Sequence, residues 1–297
     1  MFRKDYSVCN AASFVLTRHN VFWSRQTDSH ENIIEEFKLH QDGAGSPNIV
    51  RVEIRPPNGY LRLPLSEWIY KLDYAPDDNI VPEWYDPTDC QIRARAALAD
   101  WAAAKLVIDR AAEIRFAQVY VLGEAEVIAH GSSNIVAFDS ARVYAHDSSS
   151  VYAHNKSTVC AYDISFVEAF DAVNVSGFNF SRVNACDNCD VVASDACYVS
   201  VCSKTTVRAT DDVRVYATGN SRVEAKNRST VHATGQASVC LSGRSIATLH
   251  DRSVLTGCHD EATAICYCKQ SLQPTSPMAV IIDRSGDEEA ICHVGRK

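Results

Sequence analysis

Twelve cysteines and ten histidines are the side chains of this sequence whose type and spacing point first to chemistry. The densest group closes the chain: Cys258-His259, Cys266-x-Cys268 and Cys292-His293. Thiolate and imidazole are the ligands zinc prefers, and four of them would staple a segment that lacks a core of its own. Cys-x-Cys and Cys-His differ, however, from the usual Cys-x-x-Cys knuckle. The competing reading makes them small residues of capping strands over 263–268, 279–282 and 290–294. Zinc at this cluster is the one cofactor the sequence brings up.

A second group is Cys186-x-x-Cys189 with Cys197 and Cys202, where Cys-x-x-Cys raises redox or zinc chemistry. A third is aromatic: Tyr144, His146, Tyr152, His154, Tyr162, Phe166, Phe170 and Phe178, followed by Phe180. Exposed together, they would form an interface; the alternative is that the N-terminal region folds over them. A fourth lies near the start, with Cys9, His19, Asp28, His30 and Glu31. No nucleophile elbow, phosphate loop, metalloprotease motif or carboxylate pair accompanies these residues. His30 and Glu31 read more simply as first-turn helix residues.

The elements that position most of these groups are set by a repeat. From Ala117 to Arg252, seventeen consecutive octads follow [Ser/Ala]-x-Val-x-Ala-x-[Asp/Gly/Asn]-x without insertion. The third position is Val in fifteen of them, and the seventh is always Asp, Gly, Asn or Ser. A fixed short period means a stacked architecture. Odd positions are small or apolar and even positions are unrestricted, which is the alternation of a strand with one buried face. Val suits a half-buried strand. Ala at position five means a thin interior. Asp, Asn and Gly at position seven tolerate left-handed backbone angles and can hydrogen-bond their own turn, so a bend falls there once per octad.

One octad cannot close a coil; two or three could. A sixteen-residue coil stacks like on like at the outward sixth position: His130 over His146, Tyr162 over Phe178, Cys186 over Cys202, Thr218 over Thr234. A twenty-four-residue coil gives fewer like pairs. The expectation is therefore a mainly β chain: a parallel two-sheet β-solenoid with two octads per coil and eight to nine coils. Val143 would stack on Val159. The octad register also reinterprets the second cysteine group. Cys189 and Cys197 stand at position one, inward, whereas Cys186 and Cys202 face out one coil apart.

Three parts follow: an α+β N-terminal domain (1–116), the solenoid (117–257) and a C-terminal capping segment (258–297). In the first, strands are expected over 13–17, 20–23, 48–54 and 68–74, with further alternation over 60–65. Asp28-Ser29-His30-Glu31 resembles a capping box opening a helix over about 30–39. An Ala-rich helix should begin at Pro87 or Thr88 and run to about 107, burying Ile92, Leu98, Trp101 and Leu106.

Net charge is −8 and no part is basic, which argues against nucleic acid as a partner. There is no apolar run of membrane-spanning length and no signal-peptide pattern, so the expectation is a cytoplasmic protein with no membrane partner. In that compartment the cysteines would be thiols or metal ligands rather than disulfides.

The phrase Val81-Pro82-Glu83-Trp84-Tyr85-Asp86, the helix from Arg93 to Trp101 and the Val/Ala octads together resemble a group of uncharacterised proteins of bacteriophages, prophages and mobile elements. The resemblance covers most of the chain and implies no catalytic residue. The leading expectation is a non-enzymatic binding or scaffold protein with a protein partner or self-association. The alternative is an enzyme or toxin-like N-terminal domain on a solenoid spacer. A cleft gathering His19, Asp28 and His30 would favour it.

Overall fold

The computed structural model describes residues 11–39, 48–73, 81–271, 273–286 and 290–295; Cys9 and Tyr74 lie outside them. The chain is mainly β: a parallel β-solenoid of about 11 turns of about 16 residues, with a small N-terminal domain. It divides into two units, 1–106 with 117–119, and 107–116 with 120–297.

The first unit holds a four-stranded antiparallel sheet. Its strands are β1 (Ala12–Leu16), β2 (Val21–Phe22), β3 (Val50–Arg55) and β4 (Ile69–Leu72), in the order β2-β1-β3-β4. Every residue of β1 is buried, so both faces of the sheet are covered there. Helix α1 (His30–Glu36) is capped by the Ser29 side chain, which accepts from the Asn32 amide, and Ile33 packs with Val15 and Ile49. Residues 60–67 form turns and a short 3-10 segment rather than a strand. Pro64 and the 3-10 turn it leads into interrupt the alternation read there.

Helix α2 (Pro87–Lys105) is capped by Asp86, whose carboxylate accepts from the Asp89 amide at 2.8 Å. Its buried line is Cys90, Ala94, Leu98, Trp101 and Lys105, spaced four or three apart on one face. Ile92 falls off that line and is 63 % exposed, contrary to the expected burial. The line ends in a buried charge. Lys105 Nζ donates to Asp28 Oδ1 at 2.8 Å and to the Thr27 carbonyl at 2.9 Å. Burial pushes its pKa down, against the raising pull of Asp28. Asp28 also accepts from Trp101 Nε1 at 2.9 Å.

The solenoid opens earlier than the octads do, with β5 (Leu106–Ile108) and β6 (Ala111–Arg115). From there, odd-numbered octads (counted from Ala117) supply a 13-stranded sheet and even-numbered ones a 10-stranded sheet. Val143 pairs with Val159 and Ala145 with Ala161, so successive coils are sixteen residues apart. Positions one, three and five point into the space between the sheets and are buried in nearly every octad.

The backbone of the turns follows a repeating hydrogen-bond pattern. The amides of positions six, eight and two donate to the coil before, as in His146 to Ala129, Ser148 to Gly131 and Arg142 to Ala125. Position one closes its own turn, with Ser149 N donating to the His146 carbonyl. The buried Ser149 hydroxyl donates to the same carbonyl at 2.6 Å. Position seven is left-handed in all seventeen octads, with φ of +56° at Asp147 and Asp163. Its amide is the remaining donor. Where Asp or Asn stands one coil later, its side chain in most cases takes it: Asp147 N donates to Asp163 Oδ2 at 3.0 Å, and Asp163 N to Asn179 Oδ1 at 3.1 Å; Gly219, Gly235 and Gly243 have no side chain to do so. The acidic side chains thus bond the preceding coil, not their own turn.

The repeat does not fade at Gly257. A one-residue bulge shifts the register between Val239 and Cys240, where Cys240 faces Gly257, and the octad then resumes from Ala262. Asp260 takes the left-handed angle and accepts from Gly243 N at 2.9 Å. With the strands before Ala117 and after Gly257 included, the solenoid exceeds the eight to nine coils of the octads alone. The 10-stranded sheet ends at Val254–Cys258. There Gln270 acts as a substitute strand: its Oε1 accepts from Leu255 N at 2.8 Å and its Nε2 donates to the Ser253 carbonyl at 2.9 Å. Val280–Asp283 extends the other sheet, and Ile291–Val294 closes it antiparallel.

Two predictions follow from this geometry. Asp163→Ala removes the acceptor of the Asp147 amide and places a Cβ residue without side-chain compensation at positive φ; together these cost about 1–3 kcal/mol. Asp163→Asn, which other coils use at this position, should fall within about 0.5 kcal/mol of wild type. Equal denaturant midpoints for Asp163→Ala and wild type would refute the ladder. Ala145→Leu should overpack the interior by about 1–3 kcal/mol or more, whereas outward Arg222→Leu should change little. Unchanged melting of Ala145→Leu would overturn the inward assignment.

Candidate functional site

Because each coil repeats the last, any residue type that recurs at one octad position becomes a ladder. Position six, just before each turn, makes two, one at each edge where the chain passes between the sheets. On the even-octad edge, His130 stacks on His146 (5.2 Å between centroids), His146 on Tyr162 (4.7 Å) and Tyr162 on Phe178 (5.1 Å). On the odd-octad edge, His154 lies between Phe138 (5.3 Å) and Phe170 (5.2 Å). The coil spacing of a parallel sheet sets these separations.

The aromatic residues singled out in the sequence therefore do not form one patch. His146, Tyr162 and Phe178 share one edge and His154 and Phe170 the other. Tyr144 is on the outer face of the 10-stranded sheet; Tyr152 and Phe166 are on that of the 13-stranded sheet. All eight are half-buried by their coil neighbours rather than fully exposed.

What stands out from the surface is at position eight of the even octads. Ile164 is 65 % exposed and Phe180 70 %, one coil apart and beside the Tyr162–Phe178 stack. Ile164 escaped the sequence reading because position eight carried no rule; an apolar pair there among Ser, Ala, Asp and Arg was the available signal. A further line crosses the 13-stranded sheet. Arg182 lies 5.0 Å over the Tyr198 ring, Tyr198 meets Tyr216 at 5.2 Å, Tyr216 stacks on His232 at 5.0 Å, and His232 Nδ1 contacts Thr248 Oγ1 at 2.6 Å.

Cys186 and Cys202 continue the odd-edge ladder beyond Phe170 and are joined as a disulfide, with Cα atoms 4.8 Å apart. The expectation of free thiols fails for this pair, because the sixteen-residue coil brings position-six side chains within bonding reach. Cys189 and Cys197 are buried at position one, and burial pushes the Cys189 thiol up to about 11.

The proposed zinc cluster is taken apart by the same code. Cys258 and Cys266 occupy position five, inward, where burial pushes their thiols up to about 11 and about 12. His259 holds position six, and its Nδ1 meets Thr275 Oγ1 at 2.5 Å. Cys268 donates to the Ser253 carbonyl at 3.3 Å. Cys292 and His293 sit on the closing strand opposite Ile282 and Ile281, with Cys292 exposed. The six do not converge. Among the described residues, the one group of three metal-binding side chains within reach of each other is His30, Glu53 and Asp73. Nor are His19, Asp28 and His30 gathered: His19 is exposed in the β1–β2 turn, Asp28 is held by Lys105 and Trp101, and His30 turns to Asp73.

The fold places the chain among parallel β-solenoids with two octads per coil. Comparison with known proteins adds no relative: no family model, no curated protein and no solved structure matches the chain. No helix among the described residues is long and apolar enough to cross a membrane.

The stacked His154 gives a pH prediction. Burial between its neighbours lowers its pKa, outweighing the raising effect of Asp171. The fold thus favours the neutral ring. The stability this contributes is fully present above the unfolded value of about 6.5 and is lost as pH falls through it toward the folded value. The thermal midpoint should drop more steeply between pH 7.5 and 5.5 in wild type than in His154→Phe. Parallel slopes would contradict this.

Proposed function

We propose that this is a non-enzymatic binding or scaffold protein, and that the even-octad edge of its solenoid meets a protein partner or a second copy of the chain. One observation carries the reading: Ile164 and Phe180 hold two large apolar side chains in water, adjacent, on a backbone with no freedom to hide them. Scattered apolar residues on a surface are ordinary, but a contiguous apolar group on a rigid frame marks an interface. The neighbouring Tyr162–Phe178 stack adds a preorganised aromatic surface, which limits the ordering cost of association. The balance of −8 argues against a phosphate backbone as the partner. The sequence resemblance to phage and mobile-element proteins fits a chain that acts in a host cytoplasm on a host protein. There the Cys186–Cys202 pair would be held reduced, so its oxidation state in cells tests the compartment.

Ile164→Ser combined with Phe180→Ser should leave the melting temperature within a few degrees of wild type, since both side chains are already in water. It should abolish self-association in sedimentation velocity or capture of the partner. Association and capture both unchanged in a folded double variant would remove this edge as the interface.

A further inference from the structure

The N-terminal unit contains a group of side chains that neither its packing nor the proposed interface uses. His30, the first residue of α1, is 5 % exposed. Its Nε2 lies 3.1 Å from the Val52 carbonyl, which fixes the ring and directs Nδ1 to Asp73 Oδ2 at 3.0 Å. Glu53, in the middle of β3, is 7 % exposed, and the partner of its Oε2 is the Arg55 guanidinium, which is nearly half exposed. One ligand atom from each of His30, Glu53 and Asp73 lies within 4.8 Å of the others.

We infer that His30 Nδ1 and the carboxylates of Glu53 and Asp73 form a binding site for a divalent transition-metal ion. The three come from three separate elements, and the arrangement matches what such an ion requires. A ligating imidazole commonly donates its other N–H to a backbone carbonyl, and Val52 supplies it. Two carboxylates facing one imidazole leave negative charge in a largely buried setting, where one partly solvated guanidinium is a poor substitute for a doubly charged ion. One nitrogen with two oxygens suits zinc, manganese, iron or cobalt; the imidazole disfavours calcium and magnesium. Three protein ligands leave coordination positions over, and Asp73, whose side chain is 43 % exposed, opens the site to solvent.

The test uses the full chain, treated with chelator and kept in reductant. Titration with cobalt(II) should show one equivalent bound, with weak visible bands and no thiolate-to-metal charge transfer. Zinc should raise the thermal midpoint of wild type. Asp73→Asn, at a partly exposed position that leaves the fold intact by circular dichroism, should weaken cobalt binding about tenfold or more and abolish the zinc shift. Glu53→Gln should do the same where it folds, and Asp73→Asn decides the matter where it does not. No stoichiometric binding by wild type would mean a His30–Asp73 hydrogen bond beside an Arg55–Glu53 ion pair, with no metal site. Binding equal in Asp73→Asn, or a strong thiolate band, would place the ion on cysteines. Either result overturns the inference.

Discussion

In each turn of the solenoid, one backbone amide is reached by neither sheet. The chain must reverse within three residues between two sheets too close for a large side chain, so position seven goes left-handed and its N–H points along the solenoid axis. Position seven is exposed in most coils, so a side-chain acceptor there adds a bond between coils rather than rescuing a buried donor. Asp and Asn meet both demands at once. They tolerate positive φ and carry an acceptor on a short stem, which lands on the amide one coil back. That single bond ties local conformation to coil stacking. It explains why the sequence period is so strict: an extra residue would move the acceptor away from its donor. At Thr256 an extra residue is absorbed by a bulge inside the strand, and Asp260 still finds Gly243 N.

The same strictness decides how much was legible. Alternation and the restricted seventh position carried the two-sheet solenoid, the sixteen-residue coil and the pairing of Val143 with Val159, because each depends on local chemistry repeated many times. The failures occur where the period breaks or where contacts are long-range. Cys258, His259 and Cys266 look like a ligand cluster until one residue is allowed for the bulge; then they fall onto positions five, six and five. Ile92 was assigned to the core for its type, though Cys90, Ala94, Leu98 and Trp101 define the face. His30, Glu53 and Asp73 are separated by about twenty residues each and share no periodicity. Only the packing of α1 on the antiparallel sheet brings them together, and no sequence pattern announces it.

The two units handle polar groups in opposite ways, and the contrast bears on where function can reside. Between the solenoid sheets the buried polar residues are Ser and Thr, most of whose hydroxyls satisfy turn carbonyls such as those of His146, Tyr162 and His250. No charged side chain is buried there among the described residues. Such an interior leaves few polar groups unmet, the buried Ser221 hydroxyl among them. Its variability is confined to even positions and turns, where stacking converts each choice into a ladder: rings on rings, Cys186 on Cys202, Arg228 on Asp212. The proposed interface draws on that variable surface. The N-terminal unit, by contrast, buries Lys105, His30 and Glu53. Lys105 is answered by Asp28, and that pair locks α2 to the segment before α1. Glu53 and His30 are answered less completely, by groups at the edge of solvent. Charge is expensive to bury and is retained where it has a use. The proposed interface on the solenoid and the proposed metal site in the N-terminal unit therefore rest on different residues, and each can be tested without disturbing the other.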